Sequence, residues 1–264
     1  MHDNKMDVIQ SPHNGLFKAA RKLLEQRRER LKVGQALLDG PHLLAAWLDA
    51  NRPVQRILLT EAGLSNSEIA ALVKRANATV SLIDERLFAE ISELPSLSGV
   101  LTWVAIPEAG VPRTSGLCLL LDGIQDPGNV GSILRTAAAA GVNQVLLSSA
   151  CADVWSPKTL RAGMGAQAVL DMVERADLLA FSEQFSGRIA ATLLDGATDL
   201  YHSDLTGDLA MVFGAEGAGI SLEMASKANV RMKIPMAPGI ESLNVGAAAA
   251  ICLYERVRQC AILS

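Results

Sequence analysis

Asn129, Arg135 and Glu216 are polar or charged side chains set in or just beyond loops where an apolar run breaks into Gly, Pro and Asn. Two of the three segments of interest carry them: Leu121 to Arg135 reads LDGIQDPGNVGSILR, and Met211 to Ser221 reads MVFGAEGAGIS. The third, Lys233 to Val245, reads KIPMAPGIESLNV. A hydrophobic core has no need of such loops, whereas a site at the strand ends of an α/β sheet does. A guanidinium at that edge can clamp a phosphate and stabilise charge developing on oxygen. A carboxylate beside it can bond loop amides, orient the guanidinium, or do both.

Each motif also has a plainer reading. Asp126-Pro-Gly-Asn129 is a turn ending on a strong helix N-cap residue, so Asn129 either caps the following helix or faces a site. Arg135 lies six residues further on, in a helix otherwise made of Val, Gly, Ser, Ile, Leu, Thr and Ala. It therefore lies on an exposed face or is aimed at a ligand. The second loop has three glycines, which let a backbone approach a ligand closely at Gly214. It lacks both the GxGxxG dinucleotide spacing and the GxxxxGK of a phosphate loop, which argues against a nicotinamide oxidoreductase. In the third motif Ile234, Met236 and Leu243 would wall an apolar slot, and Asn244 caps the last helix. A strand, a Pro-Gly loop and a core helix account for that motif taken alone.

Taken together, the order and spacing of the three resemble the SpoU/TrmH family of RNA ribose 2′-O-methyltransferases, of the SPOUT superfamily. The resemblance covers about residues 114–260. It implies an α/β-knot fold, with the polypeptide beyond Met211 threaded as a deep trefoil knot, a topology otherwise very rare. It implies S-adenosylmethionine as cofactor, bound at Gly214, Ile234, Met236 and Leu243, with loop amides and carbonyls reading the adenine edge. Asn129, Arg135, Glu216, Ser242 and Asn244 match the family's active-site positions. The family more often has Asn where this chain has Ala215, which puts one hydrogen bond in doubt. The reaction implied is in-line displacement of the sulfonium methyl by a ribose 2′-oxygen, which rests on alignment and charge stabilisation. The family's Arg is proposed to activate the 2′-hydroxyl. A guanidinium has a pKa above about 12, so a phosphate clamp that also steadies the alkoxide is the cheaper role for Arg135. The family packs its first-motif and last helices across a two-fold axis, so a homodimer is expected, formed through Val130 to Ala140 and Asn244 to Gln259.

The elements that must position these loops follow from apolar patterning. Leu117 to Leu121 is a nearly all-apolar strand of the kind buried in a parallel sheet. Further strands are expected at Val145 to Ser148, Ile189 to Leu194, Ala210 to Phe213 and Val230 to Ile234. Gly141 stands where the first-motif helix should be capped. Upstream, a helix over Ser11 to Arg30 precedes strands at Val33 to Leu38, Arg56 to Thr60, Thr79 to Ile83 and Val100 to Ile106. Between them lie helices ending near Ala50, over Ser67 to Ala76, and starting at Asp84. That alternation predicts a small α/β sandwich. Its GQALLDGPHLLAAWL stretch resembles the L30e-like substrate-binding domain often found ahead of the SpoU fold, although the family usually has Glu at Asp39. The domains expected are 1–106 for RNA binding, a Pro-containing linker over 107–115, and a methyltransferase domain over 116–264.

Half of the 264 residues are hydrophobic and a fifth are charged, as in a globular protein with a full core. No apolar run is long enough to span a membrane, and the polar N-terminus lacks a signal-peptide stretch. Cys118, Cys151, Cys252 and Cys260 form no CxxC pair and read as reduced thiols in a cytoplasmic protein. His2, His13, His42 and His202 are scattered, so no metal is expected. The net charge of −4 lies wholly in residues 113–264, which hold 15 acidic and 11 basic side chains, whereas residues 1–112 hold 13 of each. Within the neutral half, Lys18, Arg21, Lys22, Arg27, Arg28, Arg30 and Lys32 form a dense basic segment. It either holds RNA phosphates or is a solvated helix face with Glu25 and Glu29 pairing locally. The expected substrate is structured RNA, ribosomal in the first instance because an L30e-like domain suits a folded RNA element. Transfer RNA is the runner-up, and a catalytically silent RNA-binding protein on the same fold is the rival class.

Overall fold

The computed structural model describes residues 8–94, 97–193, 196–240 and 242–262. His2 and Leu194 therefore lie outside the described residues. The chain divides into two compact units. One holds the residues up to Glu108 together with Trp155–Ala168, and the other holds Ala109–Val154 and the residues from Val169 onward.

The first unit contains β1 (Val8–Ile9), α1 (Gly15–Glu25), α2 (Arg27–Val33), β2 (Gln35–Asp39), α3 (Pro41–Asp49), β3 (Arg56–Leu59), α4 (Glu61–Ser65), α5 (Ser67–Ala76), β4 (Thr79–Ile83), α6 (Glu85–Ile91) and β5 (Val100–Ala105). Its sheet runs β1-β4-β3-β5-β2, parallel from β1 to β3 and antiparallel from β3 to β2. Successive strand residues face opposite sides, so β3 serves two cores. Leu58 packs with Phe17, Leu23 and Phe88 on one face, while Ile57 and Leu59 pack with Leu44, Leu48 and Ile69 on the other. The result is the α/β sandwich that the patterning predicts.

The second unit carries β6 (Leu117–Asp122), α7 (Pro127–Ala139) and β7 (Gln144–Leu147). After α8 (Pro157–Gly163), which belongs to the first unit, come β8 (Met172–Glu174), α9 (Leu178–Gln184), β9 (Arg188–Thr192), β10 (Thr198–Asp199), β11 (Leu209–Gly214), α10 (Leu222–Lys227), β12 (Val230–Lys233) and α11 (Val245–Ile262). Its seven strands run β10-β12-β9-β11-β6-β7-β8 and every pairing is parallel. On one face Cys118, Leu120, Val212 and Ala210 pack with Phe181 and Phe185 of the α9 region. Helix α11 packs against α7 and β11. Parallel strands place all their carboxyl ends at one edge, which is where the three motif loops emerge.

One local expectation is corrected. The helix expected over Ser11 to Arg30 breaks at Gln26, whose φ of −122° and ψ of 108° are extended. Arg30 sustains the break, because its Nη1 donates to the carbonyls of Leu23 and Leu24 (2.9 Å for the latter). Those carbonyls end α1 without a partner of their own helix, and the folded-back guanidinium supplies the missing donor. Trp155–Ala168, inside the expected methyltransferase stretch, packs with the first unit. Trp155 meets Trp47 edge-on at 6.4 Å between ring centroids, and Arg52 Nε donates to Ala168 O at 2.9 Å. Arg161 pairs with Glu93 at 3.6 Å. Burying Trp155 and Leu160, 3% and 2% exposed, contributes about 1.5–3 kcal/mol each, which anchors the segment.

Candidate active site

Helix α7 begins three residues earlier than the patterning predicts. Pro127 occupies its first turn, where a missing N–H costs nothing, and Asp126 is the cap, accepting from Asn129 N at 2.8 Å. Asn129 is thus not the N-cap. Its side chain is released from that duty and turns to the other motifs.

Asn129 Nδ2 donates to Glu216 Oε1, and its Oδ1 accepts from Asn244 Nδ2 at 2.9 Å. Asn244 Oδ1 in turn accepts from Gly246 N at 2.9 Å and Ala247 N at 3.2 Å, so Asn244 caps α11 as expected. One relay of hydrogen bonds therefore runs from the glycine-rich loop through the first motif to the start of the last helix. Residues separated by 87 and 115 positions are joined by it. Glu216 is bonded to Asn129, not to Arg135.

Beside this relay lies a cleft of about 690 Å³, within the range of small-molecule sites. Gly214, Ile234, Met236 and Leu243 line it, as do Glu216, Ser242 and Asn244. Leu243 is 39% exposed, an apolar side chain turned toward open space in the cleft. Thr192, Leu193, Lys233 and Ala248 also line it and were not singled out from the sequence. Thr192 ends β9, the strand lying between β12 and β11, Leu193 follows it, and their segment carries no motif of its own. Lys233 is the one cation in the described lining. The glycine at 214 has a different cause from the one expected. A Cβ there would overlap the backbone of Gly219 and Ile220, where the loop folds back through an Ala215–Gly219 bridge. The loop's own closure demands Gly214.

Arg135 is exposed on α7 and does not line the cleft. It follows by one turn Ser132, whose Oγ would lie 3.4 Å from a Cβ at Gly246, so that face of α7 adjoins the start of α11. Of the four basic residues expected to hold RNA, Arg28 and Lys32 are exposed and Arg27 is half-buried. Arg30 is 4% exposed and occupied with capping α1, which removes it from the set. Local pairing accounts for part of the segment: Arg21 meets Glu25 at 2.9 Å and Lys32 lies 3.9 Å from Glu29. Among the described residues no group of His, Cys, Asp and Glu could hold a metal ion, and no helix is long and apolar enough to cross a membrane.

A wholly parallel sheet with a ligand-sized cleft and a polar relay at its carboxyl edge defines an α/β enzyme of the strand-end type. Residues 116–254 match the family model for the SpoU rRNA methylase family, and residues 14–102 match that for an MRM3-like substrate-binding domain. The chain belongs to the SpoU rRNA methylase family. It is 32% identical to an uncharacterized tRNA/rRNA methyltransferase of Synechocystis sp., over 95% of this chain and 93% of that one. It is 29% identical to the 23S rRNA (guanosine(2553)-2'-O)-methyltransferase RlmP of Bacillus subtilis, over 94% of this chain and 98% of that one. Among solved structures, the SpoU methyltransferase AviRb from Streptomyces viridochromogenes, in complex with AdoMet, superposes with a TM-score of 0.85. That match has 26% identity and covers 94% of this chain and 98% of that one.

Proposed function

We propose that this protein is an S-adenosylmethionine-dependent methyltransferase that modifies a ribose 2′-hydroxyl in ribosomal RNA. The relay Glu216–Asn129–Asn244 carries the reading, because it draws polar groups from all three motifs to the rim of one cleft. The cleft fits the cofactor: its volume is adequate, and Ile234, Met236 and Leu243 offer apolar surface to a nucleoside. Bound there, S-adenosylmethionine supplies an electrophilic methyl group. Asn129 and Asn244, each fixed by two or more hydrogen bonds, hold the rim of the site rigid, so alignment costs little when substrate arrives. Glu216 keeps the glycine-rich loop over the cleft through Asn129. Ser242, exposed beside Asn244, adds a hydroxyl toward the substrate side. Arg135 holds the flanking phosphate and steadies charge on the 2′-oxygen without giving up its own proton.

The same reading has the polypeptide after Met211 threaded as a trefoil knot and two copies paired through α7 and α11. Tyr254 on α11, 51% exposed, supports the pairing. RNA would be held by residues 1–106, with Arg27, Arg28 and Lys32 making phosphate contacts that position without reading bases. A cytoplasmic location belongs to the same reading. The test is mapping of 2′-O-methyl sites in RNA from cells with and without the gene, followed by methylation of purified RNA by the full-length protein. Loss of one ribosomal 2′-O-methyl site on deletion is expected. Loss confined to transfer RNA would replace the ribosomal assignment, and no loss in either would refute the activity. Light scattering giving a stable active monomer at micromolar concentration would overturn the dimer.

A further inference from the structure

Asp122 belongs to the first motif but has no part in the relay. It is the last residue of β6 and pairs in register with Gly214, the last residue of β11. Its half-buried carboxylate accepts from Ser221 N at 2.9 Å. Gly214 and Ser221 are the two ends of the glycine-rich loop, and Glu216 stands between them. The loop closes on itself through Gly219 N to Ala215 O at 2.8 Å, with Gly217 and Gly219 at φ of +85° and +70°. Two glycines in the left-handed region leave such a loop many alternative conformations, so its position depends on its anchors. Strand β11 fixes the start. At the far end Ser221 is a junction, its Oγ capping α10 by accepting from Met224 N at 3.4 Å while its N–H is held by Asp122.

We propose that Asp122 is a positioning residue that pins the far end of the glycine-rich loop and so sets where Glu216 meets Asn129. It touches neither the cleft nor the relay. A carboxylate bonds a backbone N–H more strongly than a neutral acceptor does, which suits a half-buried anchor. The inference rests on the reading of Glu216 as part of the catalytic machinery.

The experiment uses the full-length protein with Asp122→Ala, Asp122→Asn, Glu216→Ala and the Asp122→Ala/Glu216→Ala pair. Turnover, KM for S-adenosylmethionine and melting temperature are measured for each. Asp122→Ala should lower kcat by about 10- to 100-fold, the scale of a small misplacement of reacting groups, with little change in melting. Asp122→Asn keeps an acceptor oxygen and should recover most of the rate. The double variant should be no slower than Glu216→Ala, because two residues acting through one contact do not add. A full-rate Asp122→Ala beside a slow Glu216→Ala overturns the role of Asp122 alone. A full-rate Glu216→Ala overturns the underlying reading of the site. Multiplying effects in the double variant also refute the positioning role. Should Asp122→Ala not fold, Ser221→Pro removes the same N–H at a residue whose φ of −58° suits proline, with Ser221→Ala as the cap control. A full-rate Ser221→Pro would then refute the inference.

Discussion

Replacing Asn129 with Asp is the sharpest probe of the relay, because it keeps the shape and changes only the donor facing Glu216. In the native site Asn129 Nδ2 donates to Glu216 while its Oδ1 accepts from Asn244. After Asn129→Asp the second bond survives and the first becomes two carboxylates at hydrogen-bond distance. Two unit charges about 3 Å apart repel by about 1.4 kcal/mol in water and by about 5.5 kcal/mol at an effective dielectric of 20. Glu216 is exposed and Asn129 half-buried, which places the cost near the lower value. Like charges held this close favour one proton shared between the two acids. The repulsion is carried at high pH and shed as pH falls, where a shared proton remakes the bond. Methyl transfer by Asn129→Asp, expressed relative to the parent protein, should therefore rise by up to about tenfold, the rate equivalent of about 1.4 kcal/mol, as pH falls from about 8 toward 5. Asn129→Ala is the control. It loses two largely solvated hydrogen bonds, at about 0.5–1.5 kcal/mol each at most, and its relative rate should stay level across pH. The assay is transfer of labelled methyl to RNA, with melting temperature followed in parallel. A flat ratio for Asn129→Asp, or a full rate for Asn129→Ala, would refute the relay's part in catalysis.

Four further outcomes follow from the same geometry. Arg135→Ala should cost about 100- to 1,000-fold in turnover with cofactor affinity by calorimetry unchanged, and Arg135→Lys should also be slow because a point charge cannot replace a planar fork. Neutralising Arg28 and Lys32 should weaken RNA binding and reduce its salt dependence by roughly 0.7–0.9 log units of slope per lost contact, read from titrations at several salt concentrations. Thr102 is fully buried in β5 and its hydroxyl has no hydrogen-bond partner among the described residues, so Thr102→Val should leave stability unchanged or raise it by about 1 kcal/mol in denaturant unfolding. Burial pushes the thiols of Cys118 and Cys252 up to about 11 and about 12, so mass spectrometry after alkylation of the folded protein should find Cys260, half-buried, labelled first.

The parts of the fold legible in the sequence are those where one element carries enough pattern to be read alone. The strand over Thr79–Ile83 and the helix over Ser67–Ala76 agree with the structure to the residue, since each has clear periodicity and a turn signal at its border. Elements of seven residues or fewer, such as α4, α8, β8, α9 and α10, fall below the length at which periodicity separates helix from loop. At the site, Gly214, Ile234, Met236 and Leu243 were legible because their loops carry motifs, whereas Thr192 and Leu193 were not. They reach the cleft through strand order, with β9 inserted between β12 and β11, and strand order is a property of the whole sheet.

The misread residues share a cause. Arg30 looks like one more cation in a basic run, yet its guanidinium is used where α1 ends, so a charge that composition assigns to RNA is consumed by the fold. Gly214 looks like a concession to a ligand, yet the loop's own closure forbids any side chain there. A Gly214→Val variant would consequently break the loop, and its loss of cofactor binding would carry no information about the slot. Trp155–Ala168 lies within the stretch that matches the methylase family model, and its side chains pack with the first unit. A fragment beginning at residue 116 keeps that segment without Trp47, Arg52 and Glu93, its partners. Its inactivity would report a damaged fold as readily as a missing RNA contact. Substitutions at exposed Arg28 and Lys32 in the full-length protein separate the two, because they remove charge without uncovering any core.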